Sequence, residues 1–95
     1  MPNVKITFLS FIANIAGKKT TEIDVPSETT IEQLLAILTS RFGQDFEERV
    51  YNTIDGLNRF VMIMINGADM RTLNGLNTIL ETDDEIMMLP AIAGG

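Results

Sequence analysis

Apolar and polar residues alternate near the N-terminus, which predicts β-strands. Between residues 4 and 11, Ile6 and Phe8 share one side of an extended chain and polar residues occupy the other at the start. A second alternating run covers residues 20 to 25, after a bend or helical turn predicted at residues 12 to 16. Because only a short loop separates the two strands, we expect them to pair antiparallel.

Helical spacing then replaces the alternation. Thr29 or Thr30 can cap this helix, and Glu32 or Gln33 can complete a capping box three residues later. Gly43 is placed to end it in a left-handed conformation. We expect the apolar stripe of the helix to pack on the inner face of the sheet. The stripe consists of Ile31, Leu34, Leu35, Leu38 and Phe42.

The pattern is weaker between residues 44 and 60. Phe46, Val50 and Ile54 are spaced by four, which predicts a short helix from about residue 45 to residue 52. The pair Asp55-Gly56 indicates a turn. The charged residues of this segment are interpreted as a solvated face.

Two further apolar runs predict the remaining strands. Residues 61 to 65 precede Asn66-Gly67, a strong signal for a β-hairpin. Residues 85 to 89 form the last strand, which should stop at Pro90 because proline has no N–H to donate. A polar connection with apolar anchors joins the two runs.

This order predicts an α+β domain of the β-grasp (ubiquitin-like) class. It would be a mixed sheet of four to five strands with one main helix packed on one face and its two end strands parallel at the centre. We expect residues 1–90 to form the domain and residues 91–95 a flexible C-terminal tail that ends in Gly-Gly.

Strand parity predicts a second apolar face on this sheet, away from the helix. An exposed apolar patch of this kind usually marks a protein interface, and methionine repacks easily in such places. The alternative is that residues 44 to 60 fold over the patch. The residues assigned to this face, as a partner-binding surface, are Leu9, Phe11, Met62, Met64, Met87 and Leu89.

Composition narrows the possible functions. Thirteen acidic and seven basic residues among 95 give a net charge of −6, which argues against nucleic acid as a partner. The absence of Cys and His removes thiol nucleophiles, disulfides, Cys/His zinc sites and the usual general base. The chain is therefore not expected to be catalytic alone. No run is long enough to span a membrane and no signal peptide is evident, which predicts a cytoplasmic location.

Consecutive acids at Asp83, Asp84 and Glu85 raise the possibility of a metal site. Neighbouring residues in a turn cannot all point at one ion in calcium-loop geometry, where ligands sit at alternate positions. We therefore interpret these acids as a solvated face or a contact for basic residues of a partner, and predict no metal.

The C-terminus has little bulk. Beyond Pro90 the chain runs through small residues to Gly94 and Gly95, which could thread a narrow channel in a partner. A frayed terminus is the alternative.

These features together resemble a known family. The β-grasp order, the Asn66-Gly67 turn, Asp84-Glu85-Ile86 opening the last strand, and Leu89-Pro90 leading to a terminal Gly94-Gly95 resemble the MoaD/ThiS family of ubiquitin-like sulfur carriers. The resemblance is greatest to the MoaD branch, the small subunit of molybdopterin synthase.

The resemblance implies a function for the terminus. An E1-like (MoeB-like) adenylyltransferase would use ATP to adenylate Gly95, which would become a thiocarboxylate, while Gly94 lets the backbone lie flat in the channel. A MoaE-like large subunit of molybdopterin synthase would then use the sulfur to build the molybdenum or tungsten cofactor. Leu9 and Leu89 match apolar docking positions of the family, and Ile92 is assigned as a small additional anchor. No cofactor would be bound by the chain itself.

Two other functions fit the same sequence. The chain could be a ubiquitin-like modifier joined through Gly95 to lysines of target proteins. It could also be an interaction domain without chemistry at the C-terminus, in which case an extra residue after Gly95 would leave its function intact.

Overall fold

The computed structural model describes residues 1 to 91. The strands in this part of the chain are β1 (Asn3–Phe8), β2 (Thr20–Asp24), β3 (Tyr51–Asn52), β4 (Gly56–Leu57), β5 (Val61–Ile65), β6 (Ala68–Asp69) and β7 (Glu85–Pro90). The α-helices are α1 (Phe11–Ala16), α2 (Ile31–Phe42) and α3 (Gln44–Arg49). Two short 3-10 helices, Met70–Thr72 and Gly75–Asn77, lie between β6 and β7.

The main sheet has the strand order β2-β1-β7-β5-β6. Strands β1 and β7 pair in parallel at its centre, and β2, β5 and β6 each pair antiparallel to their neighbours. This is the predicted β-grasp: the first and last strands of the described chain pair in the middle of the sheet, and α2 covers one face. Strands β3 and β4 form a separate two-stranded hairpin.

Helix α2 begins and ends close to the predicted residues. The Thr30 hydroxyl accepts a hydrogen bond from the Gln33 N–H at 3.2 Å, and the Gln33 side chain accepts one from the Thr30 N–H at 3.0 Å. This capping box satisfies two N–H groups that the first helical turn leaves unpaired. Gly43 ends the helix with a φ of 88° and a ψ of −156°, so its φ is positive as predicted, although its ψ lies outside the left-handed helical region.

The core lies between α2 and the inner face of the sheet. Alternate residues of β1, β5 and β7 point into it, as the parity argument predicts. The most deeply buried large side chains are Phe8, Phe46, Ile6, Ile12, Ile31, Leu34, Leu35, Leu38, Ile63, Leu80, Ile86 and Met88.

The first strand is shorter than predicted, and the placement of Phe11 in it was wrong. Strand β1 ends at Phe8, and Ser10 adopts a φ of 57° that reverses the chain into α1. Phe11 therefore begins a helix and packs against the core. The guanidinium carbon of Arg49 lies over the Phe11 ring, 5.1 Å from the centroid of that ring. The helix forms because Ile12 and Ala16, four residues apart, are buried on one side of it.

The short helix predicted between residues 44 and 60 is present as α3, with Phe46 and Val50 buried. The assignment of Ile54 to the same apolar stripe was wrong, because the helix ends at Arg49 and Ile54 is 92% exposed in the β3–β4 turn. That turn is fixed by the Asn52 side chain, which accepts hydrogen bonds from the N–H groups of Ile54 and Asp55.

Helix α3 extends the core on the helix side of the sheet. The Phe46 ring lies 5.6 Å from that of Phe42, which in turn lies 5.6 Å from Phe8. The alternative that this segment folds over the opposite face is therefore wrong, and Leu9 and Met87 on that face remain 37% and 38% exposed.

Candidate functional site

The last strand of the described chain, β7, occupies the central position of the five-stranded sheet. It is bonded to β1 on one side and to β5 on the other. The bonding to β1 begins at Asp84, whose carbonyl accepts the Lys5 N–H, and continues to Met88, whose carbonyl accepts the Leu9 N–H, both at 3.0 Å. The last part of the described chain is thus held by the centre of the fold.

The start of β7 is also tied to the β5–β6 turn. Asn66 and Gly67 have φ values of 51° and 86°, which is the two-residue turn that the Asn-Gly pair predicts. The Asn66 side chain donates to the Asp84 carboxylate and accepts from the Glu85 N–H, both at 2.9 Å. These bonds fix the position of β7 relative to β5, so they determine which residues of β7 face outward.

At its other end, β7 leaves the sheet through Pro90 and Ala91. Pro90 lies opposite Val61, and the ladder bond is made by the next residue, because the Ala91 N–H donates to the Phe60 carbonyl at 2.7 Å. A proline is tolerated here because β1 has already ended and no strand on that side requires its N–H. The predicted reacting residue Gly95, its neighbour Gly94 and the anchor Ile92 lie outside the described residues.

Five of the six residues assigned to the partner-binding face come together on the outer side of the sheet. Met87 lies opposite Met64, and Leu89 lies opposite Met62, so the four side chains form two adjacent cross-strand pairs. Leu9 follows β1 directly and its N–H is bonded to β7. We call Leu9, Met62, Met64, Met87 and Leu89 the outer patch. Phe11, the sixth, lies in α1 and is not part of it.

The outer patch is exposed because no helix of the described chain packs on it. Met87 and Leu9 are each more than one third exposed, and Met62, Met64 and Leu89 are half-buried. Beside Met87 lies a shallow depression of about 350 Å³. Its lining residues are Thr7, Met64, Asn66, Gly67, Glu85, Ile86 and Met87.

Charged residues surround the outer patch. Lys5 lies between Glu22 of β2 and Glu85 of β7 in the strand register. On the opposite edge, Asp69 forms an ion pair with Arg71 at 2.7 Å. Hydrogen bonds from Arg71 to the Asp69 carboxylate lower the pKa of that carboxyl below its usual value.

The sequence pattern did not indicate this charged rim or the side-chain bonds of Asn66. The rim could have been found, because Lys5 and Glu85 have the same parity as Leu9 and Met87. The bond between Asn66 and Asp84 could not, because it joins residues 18 positions apart.

The exit of β7 has one further feature that the sequence did not indicate. Phe60, whose carbonyl holds Ala91, is 56% exposed, and the Arg59 guanidinium lies 5.0 Å from the centroid of its ring. An aromatic ring and a cation therefore stand beside the point at which the described chain ends, within reach of any partner that receives the following residues.

The described residues include few of the groups that most often take part in chemistry. The chain has neither Cys nor His, and residues 1 to 91 contain no cluster of three or more acids placed to hold a metal ion. The pKa of Tyr51 is raised, first by burial and then by the nearby Glu32 carboxylate, which keeps the phenol protonated. None of the helices within this range is long and apolar enough to cross a membrane. The arrangement is suited to docking and to presenting a strand end.

Comparison with known proteins agrees with this geometry. A protein of Archaeoglobus fulgidus, provisionally named as a sulfur carrier protein, is 35% identical over 74 residues, which cover 78% of this chain and 82% of that protein. Small archaeal modifier protein 1 (SAMP1) of Methanosarcina acetivorans is 27% identical in sequence, and its solution structure covers 100% of this chain and 98% of its own with a TM-score of 0.83.

A third similar structure shows the fold alone. It is a protein of Pyrococcus furiosus, provisionally named as molybdopterin converting factor subunit 1, with 21% identity and a TM-score of 0.79 over 97% of this chain and 100% of its own. The model of the ThiS family matches residues 6 to 95, which is nearly the whole chain. The resemblance to the MoaD/ThiS family is therefore confirmed, and the chain belongs to the ThiS family.

Proposed function

We propose that this chain is a sulfur carrier whose C-terminal Gly95 is adenylated by an E1-like enzyme and converted to a thiocarboxylate. The Gly95 carboxylate attacks the α-phosphorus of ATP and releases pyrophosphate. Sulfide supplied by the partner then displaces AMP from the acyl-adenylate and remains on the Gly95 carbonyl carbon as the thiocarboxylate. The carrier needs no Cys or His for this chemistry because the partner provides the catalytic groups.

The observation that carries the proposal is the position of β7. The strand is bonded to β1 as far as Met88 and on the β5 side as far as Ala91, and residues 92 to 95 separate Ala91 from the carboxylate that is proposed to react. Four residues span at most about 14 Å when fully extended. A partner that acts on Gly95 must therefore place its active site within about that distance of Ala91, which requires it to contact the surface around the strand end.

The outer patch is the apolar surface that such a partner would cover. Leu89 belongs to it and lies one residue before Pro90, so the patch is continuous with the exit of β7. Methionine side chains adapt to more than one apolar surface. This suits a carrier that binds two proteins in turn, an E1-like adenylyltransferase of MoeB type and an acceptor.

For the acceptor, we propose a MoaE-like large subunit of molybdopterin synthase. Each thiocarboxylate would give its one sulfur atom to the molybdopterin precursor held by that subunit, and hydrolysis would return Gly95 to the carboxylate. The proposal rests on the resemblance of the chain ending to the MoaD branch, in which an acidic turn, an apolar strand and a proline precede Gly-Gly.

A second function is favoured by a specific observation. The structure of a small archaeal modifier protein covers this chain over its full length at 27% identity. A modifier would use the same activated Gly95, but a lysine amine rather than a sulfur nucleophile would displace the activating group and form an isopeptide bond. Both functions require a free Gly95 carboxylate and the same activating partner.

The first experiment is intact-mass analysis of the protein purified from its own host, with sequencing of the C-terminal peptide. A mass increase equal to the replacement of one oxygen by sulfur, located on Gly95, supports the sulfur carrier. Isopeptide-linked forms that contain the C-terminal peptide support the modifier.

The second experiment tests adenylation directly. The chain is incubated with ATP and the E1-like enzyme of the host, and the exchange of labelled pyrophosphate into ATP is measured. The matched control is a variant with one residue appended after Gly95, which should abolish exchange while leaving the fold unchanged. If the wild-type chain supports no exchange, or if the extended variant supports it equally, the chain is an interaction domain without C-terminal chemistry.

Substitutions in the outer patch test docking. Met87→Glu places a charge in the centre of the patch, and we expect it to raise the KM for the carrier at least about tenfold with little change in stability. The matched control is Ile79→Glu, because Ile79 is 53% exposed and its backbone pairs with Thr30 at the start of α2, on the helix side of the fold. Equal effects of the two substitutions would contradict docking through the patch.

A further inference from the structure

Strand β2 forms an open edge of the sheet. The Phe8 N–H donates to the Lys19 carbonyl, and the Val25 N–H donates to the Pro2 carbonyl. In an antiparallel pair, residues of the same parity as Lys19 and Val25 bond to β1, so the intervening residues direct their N–H and C=O groups away from it. The backbone groups of Thr20, Glu22 and Asp24 therefore point to the free edge.

These groups make no backbone hydrogen bond within residues 1 to 91, and β1 is the only strand of that range paired with β2. An edge strand with several free N–H and C=O groups is a template for another strand. Charged side chains normally prevent such pairing, and β2 has charges on and next to it. The effect of those charges depends on their order along the strand.

The two ends of the β2 edge carry opposite charges. Lys18 and Lys19 directly precede the strand, whereas Glu22 lies at its centre and Asp24 at its end. All four side chains are exposed. A parallel approach of a second copy would bring like charges together, whereas an antiparallel approach brings the lysines of each copy to the acids of the other.

We propose that two copies of this chain associate through their β2 edges, in antiparallel register with Thr21 opposite the partner's Thr21. Outward-pointing residues then face one another: Thr20 pairs with Glu22 of the partner subunit, and Lys18 reaches Asp24 of the partner subunit. Each Thr20–Glu22 pair exchanges two backbone hydrogen bonds.

Charge repulsion disfavours one neighbouring register, and the geometry of the chain disfavours the others. A shift of two residues in one direction places Glu22 opposite the partner's Glu22, where two like charges meet. A shift of two in the other direction shortens the paired stretch, because it brings Asp24 opposite residue 16 of the partner subunit, which is still helical. A shift of one residue places backbone groups that point to the free edge opposite residues of the partner whose backbone groups are already bonded to β1. No ladder of backbone hydrogen bonds can then form.

The paired sheets would form one continuous sheet with both outer patches on the same side, because the twofold axis stands perpendicular to the sheet. The outer patch and β7 stay accessible, since β1 separates β2 from β7. The association is independent of the proposed C-terminal chemistry. It buries mainly polar surface, so it is weaker than that of an obligate dimer.

Sedimentation equilibrium of the whole chain tests the proposal. We expect the weight-average mass to rise from one protomer towards two between about 50 μM and about 1 mM, and to rise less at high salt. Amide hydrogen exchange adds a site-specific measurement. The amides of Thr20, Glu22 and Asp24 should become protected with concentration, whereas those of Thr21 and Ile23, already bonded to β1, serve as controls.

Two sets of variants separate edge pairing from other association. Glu22→Pro removes an N–H that points to the free edge and leaves the bonds to β1, and it should keep the chain monomeric. Lys18→Glu with Lys19→Glu should also weaken association, as should Asp24→Lys, and all three substitutions together should restore it. A constant protomer mass up to about 1 mM, or no restoration in the triple variant, would overturn the proposal.

Discussion

The Asn66 side chain provides a direct test of how the β5–β6 turn fixes the C-terminal strand. Asn66 has two separable roles: its backbone adopts a φ of 51°, and its carboxamide bonds to Asp84 and to the Glu85 N–H. Replacement by glycine keeps the turn conformation and removes both hydrogen bonds. Replacement by alanine removes the same bonds and also introduces a residue that disfavours positive φ.

The structure gives the expected magnitudes. Both bonds lie at an exposed position, so each is assigned the lower end of the usual range, about 0.5 kcal/mol, for a total of about 1 kcal/mol. Glycine adds a loss of about 0.5–1 kcal/mol from its greater freedom in the unfolded chain. Alanine instead adds strain of about 1–2 kcal/mol in the left-handed region. We therefore expect Asn66→Gly to destabilise the fold by about 1.5–2 kcal/mol and Asn66→Ala by about 2–3 kcal/mol.

Urea unfolding, followed by circular dichroism, measures both values if the slope of the transition is unchanged between variants. The reasoning about the carboxamide fails if Asn66→Gly is as stable as the wild type. The reasoning about the backbone fails if alanine is tolerated better than glycine. A third variant, Asn66→Asp, keeps the acceptor for the Glu85 N–H and places a carboxylate against Asp84, so its loss of stability should diminish on acidification.

Three further predictions concern the core and two titrating groups. Phe46→Ala should destabilise the fold by about 3–5 kcal/mol in urea unfolding, because the ring is fully buried and its removal leaves a cavity. Arg71→Ala should raise the pKa of Asp69, which can be measured by an NMR titration of the Asp69 carboxyl. The pKa of Asp69 is lowered in the folded state. The small stabilisation from the Asp69–Arg71 ion pair should therefore be present at neutral pH and lost as the pH falls through the pKa of folded Asp69. Tyr51, the single tyrosine, should ionise above its usual pKa in an absorbance titration, and Glu32→Gln should lower that pKa only partly, because burial is its first cause. Because the pKa of Tyr51 is raised in the folded state, the protonated phenol stabilises the fold at lower pH. This stabilisation should be lost as the pH rises through the pKa of folded Tyr51.

The elements that could be predicted from the sequence are those with local causes. Helix α2 carries a capping box, an apolar stripe and a terminal glycine within fourteen residues of one another, from Thr30 to Gly43. The turn at Asn66-Gly67 is equally local, because only residues that tolerate positive φ fit it. Where such signals coincide, the predicted boundaries differ from the structure by a residue or two.

The elements that were missed depend on tertiary contacts. Ser10 has no sequence feature that requires a φ of 57°, so the end of β1 and the start of α1 could not be located, and Phe11 was assigned to the wrong element. Ile54 followed the helical spacing of Phe46 and Val50, but α3 stops where the β3–β4 hairpin begins. In both cases an apolar periodicity continued beyond the element that it described.

The outer patch was predicted because parity in a strand is independent of what covers the sheet. Stability alone does not require apolar residues at Met62, Met64, Met87 and Leu89, since a solvated face of an antiparallel pair usually carries polar ones. Their exposed apolar area favours aggregation unless another surface covers it. Because the patch is continuous with the strand that leads to Gly95, the protein that covers it would also be the protein that receives the terminus. Docking and activation would then be coupled by geometry. For this reason Met87→Glu is expected to raise the KM of the activating partner for this chain while leaving the chain's free energy of unfolding nearly unchanged.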